Sequence, residues 1–309
     1  MHEPYRRFAP WLRQRFGTTV RIIPLDSGGT CPNRDGTLGR GGCTFCNPHG
    51  SGSGLAARGL GLREQYLRAY ERLARRNAPP RAIAYLQSYS ATHGPAQHLA
   101  AQLAQLRDLP GLVGITVGTR PDTLDADKWA VLRAAPEPVL WLEMGLQSAH
   151  DVTLRRIHRG HDAAAFARAC NQAHVHGFAV CAHVMAGLPG ETMQQWRKTL
   201  AFLNDLPITG VKFHNLLIVR GSILEGLWRR GSVALLSRAE TIQWIVEGVA
   251  ALRPDIIIHR LTADPAPGEL IAPGFAADKR GLHAAIHLAL REQRIHQGCR
   301  LPANTQELP

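Results

Sequence analysis

Short runs of apolar and β-branched residues alternate with longer amphipathic segments over two thirds of the chain. Six apolar runs cover residues 20–25, 81–86, 112–117, 139–145, 179–186 and 210–219. Between them, helical periodicity covers residues 62–76, 95–107, 126–135, 163–176 and 193–206. This alternation predicts parallel strands joined by right-handed helical crossovers. Six such units favour an α/β fold built as a partial (β/α)6 TIM-like barrel over a complete eight-fold barrel.

The alternation stops near residue 222, and this divides the chain into three predicted parts. Residues 1–17 form an amphipathic, basic N-terminal helical segment, and residues 18–222 carry the barrel. Residues 223–309 form a small C-terminal α/β extension, which we expect to pack on the barrel. Its pattern predicts a helix over 241–252, a strand over 256–260 and a helix over 282–293.

The composition narrows the class of protein. Hydrophobic residues make up 45% of the 309 residues, enough for a sizeable core, so we expect a folded globular protein. No uninterrupted apolar run reaches the roughly 18 residues of a membrane-spanning helix, and the N-terminus lacks the apolar region of a secretory signal. We therefore expect a cytoplasmic protein with no membrane partner.

The net charge favours a polyanionic partner. The chain carries 36 Lys and Arg against 24 Asp and Glu, which gives +12. Such a charge attracts nucleic acid by steering and by counterion release. Only 4 of the 36 basic residues are lysines, so a codon bias toward arginine is the alternative explanation of the charge.

Three of the six cysteines lie close together after the first apolar run. Cys31, Cys43 and Cys46 have the spacing C-x11-C-x2-C within a glycine-rich segment. Clustered thiolates of this kind bind a metal or a cluster in a reduced compartment. One interpretation is a zinc site with His49 as the fourth ligand. The other is a [4Fe-4S] cluster on three cysteines, which leaves one iron open for a further ligand.

The motifs around these cysteines resemble those of the radical S-adenosylmethionine (SAM) superfamily. Its loop ends in an aromatic residue before the last cysteine, as in CTFC here, although the first spacer has eleven residues where three are usual. GTRPD (118–122), VLWLEMGLQSAHDVTLRRIHRGHD (139–162) and VMAGLPGET (184–192) resemble strand ends of the elongator catalytic subunit and of oxygen-independent coproporphyrinogen dehydrogenase. The whole pattern, over about residues 16–265, is most similar to the YhcC/YtqA-like branch.

The resemblance implies an enzyme that reductively cleaves SAM at a [4Fe-4S] cluster to generate a 5′-deoxyadenosyl radical. By family position, Cys31, Cys43 and Cys46 bind the cluster, and Gln147, Arg159, His183, Gly187 and Pro189 contact SAM. Gln87 and Ser88 replace the family's Gly-Gly-Glu motif and are expected to receive the methionine amino group. Glu143, on the fourth strand, completes the expected SAM contacts. Of these, Arg159 matches the position that pairs with the methionine carboxylate, and Glu143 is expected at the ribose hydroxyls. A structural ion pair with an arginine is the alternative for Glu143. A hydrogen-bonded core histidine is the alternative for His183.

The resemblance to the elongator subunit, together with the positive charge, implies tRNA as the substrate, at a modified wobble uridine. Arg120 and Lys212 are candidates for lining the mouth of the pocket, and Arg220 and Arg260 for holding phosphates outside it. Arg6, Arg7, Arg13 and Arg15 form a second candidate patch. A low-potential donor such as flavodoxin or ferredoxin would supply the electron. The alternatives are a small-molecule substrate, or a zinc-stabilised RNA-binding protein without catalysis.

Overall fold

The chain folds into a curled parallel sheet covered by helices. The computed structural model describes residues 3–48, 50, 54–75 and 80–302. The strands are β1 (Val20–Asp26), β2 (Arg81–Gln87), β3 (Leu112–Thr119), β4 (Val139–Gln147), β5 (Val180–Ala186), β6 (Gly210–Asn215), β7 (Ile218–Val219), β8 (Ile257–Arg260) and β9 (Leu270–Ala272). The helices are α1 (Phe8–Phe16), α2 (Leu62–Ala74), α3 (Ala96–Ala104), α4 (Ala126–Arg133), α5 (Asp151–Arg156), α6 (Ala163–Val175), α7 (Met193–Asn204), α8 (Ile223–Arg229), α9 (Arg238–Ala251) and α10 (Lys279–Glu292).

The main sheet confirms the predicted fold class and extends it by one strand. Its strand order is β1-β2-β3-β4-β5-β6-β8, and every neighbouring pair is parallel. The short strand predicted within the C-terminal extension is β8, and it pairs with β6 as the seventh barrel strand. All carboxyl ends of these strands therefore lie at one edge, where α/β barrels place their chemistry.

Helices cover the outer face of the sheet and bury its apolar side chains. Tyr66 of α2, Phe166 of α6 and Trp196 of α7 are fully buried there. Because β4 is covered on both faces, it reads as a nearly continuous apolar run, as strands of parallel sheets do. Helix starts are set locally; for example, Thr192 and Gln195 form a capping box at α7.

Helix α1 closes the amino end of the barrel. The Phe8 ring stacks on His259 at 3.9 Å between centroids, and Trp11 meets Trp141 of β4 edge to face at 5.0 Å. Leu12 is buried in the same cluster. The inner face of the sheet is therefore apolar at this end, and the space inside the barrel opens toward the carboxyl edge.

One predicted strand is divided in the structure. The single strand expected over 210–219 is divided into β6 and β7, and β7 pairs antiparallel with β9 in a separate two-stranded sheet. The chain leaves the barrel at Asn215, whose side-chain oxygen accepts a hydrogen bond from the backbone N–H of Ala263.

Helix α2 ends at Ala74, and residue 76 of the predicted helix lies outside the described residues. Among the described helices, none is long and apolar enough to cross a membrane.

Candidate functional site

A cavity of about 490 Å³ lies at the carboxyl edge of the sheet. Its volume falls within the range of small-ligand sites. The three clustered cysteines line it together with residues from the barrel strands and the loops that follow them. Most candidates from the sequence are in this wall: Gln87, Ser88, Arg120, Glu143, Gln147, Arg159, His183, Lys212 and Arg260.

Cationic and amide N–H groups surround the cysteine sulfurs. Asn33 Nδ2 and Arg159 Nη1 lie 3.5 and 3.6 Å from Cys43 Sγ, and Arg120 Nη1 lies 3.9 Å from Cys31 Sγ. Donors of this kind stabilise thiolates and tune the potential of iron–sulfur clusters. The donor set therefore fits a cluster bound by thiolates.

The two cysteines of the CxxC pair differ in acidity. A hydrogen bond from Cys46 and the neighbouring Arg159 guanidinium hold the pKa of Cys43 well below its usual value, despite burial. The same bond and burial raise the pKa of Cys46. The surroundings of the pair therefore favour a thiolate at Cys43.

The zinc interpretation needs a fourth protein ligand besides the three cysteines. His49, the fourth zinc ligand of that interpretation, lies outside the described residues.

A glycine fixes the contact between the cysteine loop (residues 27–47) and the loop after α5. Asn33 Nδ2 donates to the backbone oxygens of His158 and Arg159 at 2.7 and 2.8 Å. Gly160 has φ +79°, and a Cβ there would lie 2.2 Å from Asn33 Oδ1. The RGHD motif therefore needs its glycine so that Asn33 can reach both the backbone and Cys43.

Arg159 and Arg120 are buried guanidinium groups with different partners. Arg159 Nη2 donates to the Gly145 oxygen at 2.7 Å, while its Nε is buried with no hydrogen-bond partner among the described groups. This orphaned donor in the cavity wall fits a bidentate ligand such as the methionine carboxylate of SAM. Arg120 forms two bonds with Asp122, at 2.9 and 2.7 Å, and is 2% exposed. Arg120 therefore lies at the base of the cysteine loop and not at an open mouth.

Glu143 is the centre of a buried ion-pair network on the inner face. Its Oε2 accepts from Lys212 Nζ of β6 and lies 3.0 Å from His183 Nε2 of β5. The alternative role expected for Glu143 was a structural ion pair with an arginine. In the structure, its ion-pair partner is Lys212 instead. Lys212 and His183 hold the pKa of Glu143 well below its usual value, although burial acts in the opposite direction. Burial lowers the pKa of His183, so its ring is neutral at pH 7.

Two of the predicted SAM contacts lie on strained backbone. Ser88 has φ +88° and Gln147 has φ +74°, at the carboxyl ends of β2 and β4. Left-handed conformations are rare outside glycine and concentrate at functional sites. Gly187 and Pro189 differ: the cavity wall, as far as the chain is described, includes neither of them.

The basic residues predicted to hold RNA are divided between the two ends of the barrel. Arg260 lies in the cavity wall, not outside it. Arg220 is exposed after β7, and its backbone N–H donates to the oxygen of Glu269 in the wall at 2.8 Å. Arg6, Arg7, Arg13 and Arg15 are exposed on or beside α1, at the closed amino end. Only Arg220 therefore combines exposure with a position near the cavity.

Several residues of the site were not predicted from the sequence. Asn33, Tyr85, Asp122 and His214 contribute to the wall or support it. A signal existed for His214, because it follows Lys212 by two positions and strand residues two apart share a face. Asn33 gave no such signal, since its partners His158 and Arg159 lie 125 and 126 positions away. Asp122 lies two positions from its partner Arg120, within the GTRPD motif, but the motif alone did not indicate that the two side chains pair.

Comparisons with known proteins agree with this geometry. The sequence profile of the radical SAM superfamily matches residues 30–203, and that of the radical SAM C-terminal domain matches residues 208–292. Protein YhcC of Escherichia coli is 36% identical over 268 residues, covering 85% of this chain and 84% of YhcC. Uncharacterized protein YtqA of Bacillus subtilis is 33% identical over 288 residues, covering 93% of this chain and 89% of YtqA.

A solved structure shares the fold. The archaeal Methanocaldococcus infernus Elp3 superimposes with a TM-score of 0.70 at 15% identity, covering 90% of this chain and 64% of the Elp3 chain. This chain therefore spans about two thirds of that structure's length. Radical SAM enzymes use a [4Fe-4S] cluster and SAM, and these are the cofactors of the family matched here. The chain belongs to the radical SAM superfamily and is an enzyme of that class.

Proposed function

We propose that this radical SAM enzyme acts on a modified wobble uridine of tRNA. The observation that carries the proposal is the cavity, which joins the three cysteines to an inner wall rich in hydrogen-bonding and cationic groups. The similarity to the elongator subunit and the net charge of +12 support an RNA substrate. A wobble base lies in a single-stranded loop, where it can be turned outward into a pocket at low cost.

Cys31, Cys43 and Cys46 would hold the cluster, with Arg159 and Gln147 beside it for SAM. When bound, the cluster and SAM supply reductive cleavage of the sulfonium and a 5′-deoxyadenosyl radical that removes a hydrogen atom from the substrate. Arg159 would orient the methionine carboxylate through its unpartnered Nε. The strained backbone at Ser88 and Gln147 would fix donors and acceptors at the strand ends.

The network of Glu143, Lys212 and His183 would form the floor beneath the ligands. Glu143 contacts both Lys212 and His183 before any ligand binds, so the three side chains are already ordered. Ligand binding would therefore cost little further side-chain entropy. A floor of this kind keeps the reacting atoms in place and excludes water. A low-potential donor such as flavodoxin or ferredoxin would deliver the electron.

Mass spectrometry of tRNA nucleosides tests the proposed substrate. A deletion strain is compared with the same strain carrying the wild-type gene, the Cys43→Ala variant or the Cys170→Ala variant. We expect one modified uridine to be lost or replaced by a precursor in the deletion and in Cys43→Ala, and restored by the wild type and by Cys170→Ala. An identical nucleoside profile in all four strains would refute a tRNA substrate and favour a small molecule.

A further inference from the structure

Arg260 is a guanidinium placed in the cavity wall by the last strand of the barrel. It ends β8, and in the β6–β8 register it lies opposite Lys212. Its Nη2 lies 2.8 and 3.0 Å from the Nδ1 and Nε2 atoms of His214. Its Nε is buried and has no hydrogen-bond partner among the described residues. Arg260 therefore has donors that the folded chain leaves unused.

The charge of Arg260 is also unmatched by a carboxylate, unlike the charges of Lys212 and Arg120 in the same wall. Lys212 is paired with Glu143, and Arg120 is paired with Asp122. Arg260 forms no ion pair with any carboxylate in the described ranges. A cation removed from water without a counter-charge is costly.

The remaining carboxylates of the wall are engaged elsewhere. Asp264 pairs with Lys279 at 2.6 Å, and Glu269 accepts from Asn47 Nδ2 at 2.8 Å. Burial and the nearby Arg260 keep the pKa of His214 well below its usual value, so His214 is a neutral partner. His214 can therefore orient the guanidinium without adding or neutralising charge.

Arg260 comes from a different strand than the groups around the cysteines. The groups that contact the cysteine sulfurs come from the loops after β1, β3 and β4. Arg260 ends β8, the last strand in the order of the main sheet. Arg260 is therefore a guanidinium additional to Arg159, to which the methionine carboxylate of SAM is assigned.

We propose that Arg260, oriented by His214, binds an anionic oxygen group of the substrate, a carboxylate or a phosphate. Two charge-assisted hydrogen bonds from one guanidinium would fix that group in position and direction. The substrate would then present its reacting carbon between Arg260 and the cysteines. This inference rests on the proposed function for the assumption that the cavity holds the substrate together with SAM.

The test measures the melting temperature of anaerobically reconstituted protein in sodium chloride, sodium acetate and sodium phosphate at equal ionic strength. The variants are Arg260→Gln and, as a matched control, Arg168→Gln on the exposed face of α6. Without an oxyanion, we expect Arg260→Gln to melt higher than the wild type by about 2–4 °C, because an uncompensated, partly buried charge is removed. If Arg260 instead stabilises the fold, the Arg260→Gln variant would melt at a lower temperature than the wild type.

In acetate or phosphate, we expect a rise over chloride for the wild type and Arg168→Gln that is absent in Arg260→Gln, since ligands stabilise the state that binds them. A rise in acetate alone identifies a carboxylate, and a rise in phosphate alone identifies a phosphate. Equal responses of all three proteins in every salt would overturn the proposal. The titration contains no tRNA, so an unchanged nucleoside profile would refute the proposed substrate without touching this subsite.

Discussion

At the scale of single residues, Arg159 combines two tasks in one side chain. Its Nη1 lies beside Cys43, its Nη2 is tied to the Gly145 backbone, and its Nε remains unpartnered in the cavity wall. The guanidinium is therefore already oriented before a ligand binds. A ligand carboxylate would meet a fixed donor and would not have to order it.

We predict that Arg159→Gln weakens SAM binding by about 1.5–3 kcal/mol, the usual worth of a charge-assisted pair. This corresponds to roughly a 10- to 150-fold rise in Kd. Calorimetry on reconstituted protein measures it. Arg156→Gln, on the exposed face nearby, is the matched control and should bind like the wild type. Wild-type affinity in Arg159→Gln would show that the methionine carboxylate binds elsewhere.

Glu143 is predicted to matter for stability as well as for the site. Glu143→Gln leaves Lys212, whose side chain is 15% exposed, without its counter-charge, and breaking a buried pair costs about 3–5 kcal/mol. The control is Glu64→Gln, which breaks an exposed pair with Arg68 and should cost no more than about 0.5 kcal/mol. Denaturant unfolding measures both. Equal small losses in the two variants would mean that the network contributes little to the fold.

At the scale of elements, most strands could be predicted from the sequence, and the pairing of their side chains could not. Apolar runs bounded by turns located β1 to β5 within a few residues, because both faces of a parallel sheet are covered. The strand over 256–260 was also predicted, but its place beside β6 was not. The sequence of a four-residue strand does not indicate which strand it pairs with. In addition, α8 and α9 interrupt the strand–helix alternation before it.

In the site, too, residues with a local sequence signal could be predicted and their distant side-chain partners could not. The spacing of the cysteines and the surrounding motifs indicated the cluster residues directly, since their chemistry depends on local spacing. The partner of Glu143 was different, because Lys212 lies 69 positions away and reaches it only through the register of β4, β5 and β6. The sequence alone therefore did not identify Lys212 as that partner.

The junction of α1 with the barrel makes the fold sensitive to acid. His259 stacks on Phe8, and both of its ring nitrogens are buried without partners in the described structure. Burial lowers its pKa to about 3, and burial with the nearby Arg159 does the same for His161. The pKa of a histidine in the unfolded chain is near 6.5. Below that pH, these histidines bind a proton in the unfolded chain but remain neutral in the folded protein. Stability therefore falls as the pH drops from about 6.5 toward 3.

We predict that His259→Phe makes this loss less steep, by up to about 1.4 kcal/mol per pH unit, because one such proton uptake is removed. Denaturant unfolding between pH 7 and pH 4 measures the slope. A constant packing penalty from the larger ring would shift stability at every pH and would not mimic the effect. The exposed His98→Gln variant should keep the wild-type slope. An unchanged slope in His259→Phe would assign the acid sensitivity to other groups.

At the scale of the whole molecule, the two ends of the barrel differ in role. Helix α1 seals the amino end, while the cavity, the cysteine loop and Arg220 lie at the carboxyl end. A tRNA whose base enters the cavity would therefore rest its phosphates on the carboxyl rim. The arginines on and beside α1 would not contact that part of the RNA.

We predict that Arg220→Gln flattens the log–log salt dependence of tRNA binding by about 0.7–0.9, the value for one lost phosphate contact. Arg13→Gln, at the closed end, is the matched control and should leave the slope unchanged. A filter-binding or gel-shift titration over salt concentration gives both slopes. If Arg13→Gln flattens the slope and Arg220→Gln does not, the RNA approaches from the opposite end.

The central claim is that Cys31, Cys43 and Cys46 together hold one cluster at which SAM is cleaved. The most direct measurement is the yield of 5′-deoxyadenosine from SAM by anaerobically reconstituted protein under a strong reductant. The account predicts about four irons per wild-type chain, a cleavage product, and loss of that product in Cys31→Ala, Cys43→Ala and Cys46→Ala, with full yield in Cys299→Ala. Full cleavage by any one of the three cysteine-loop variants would contradict it.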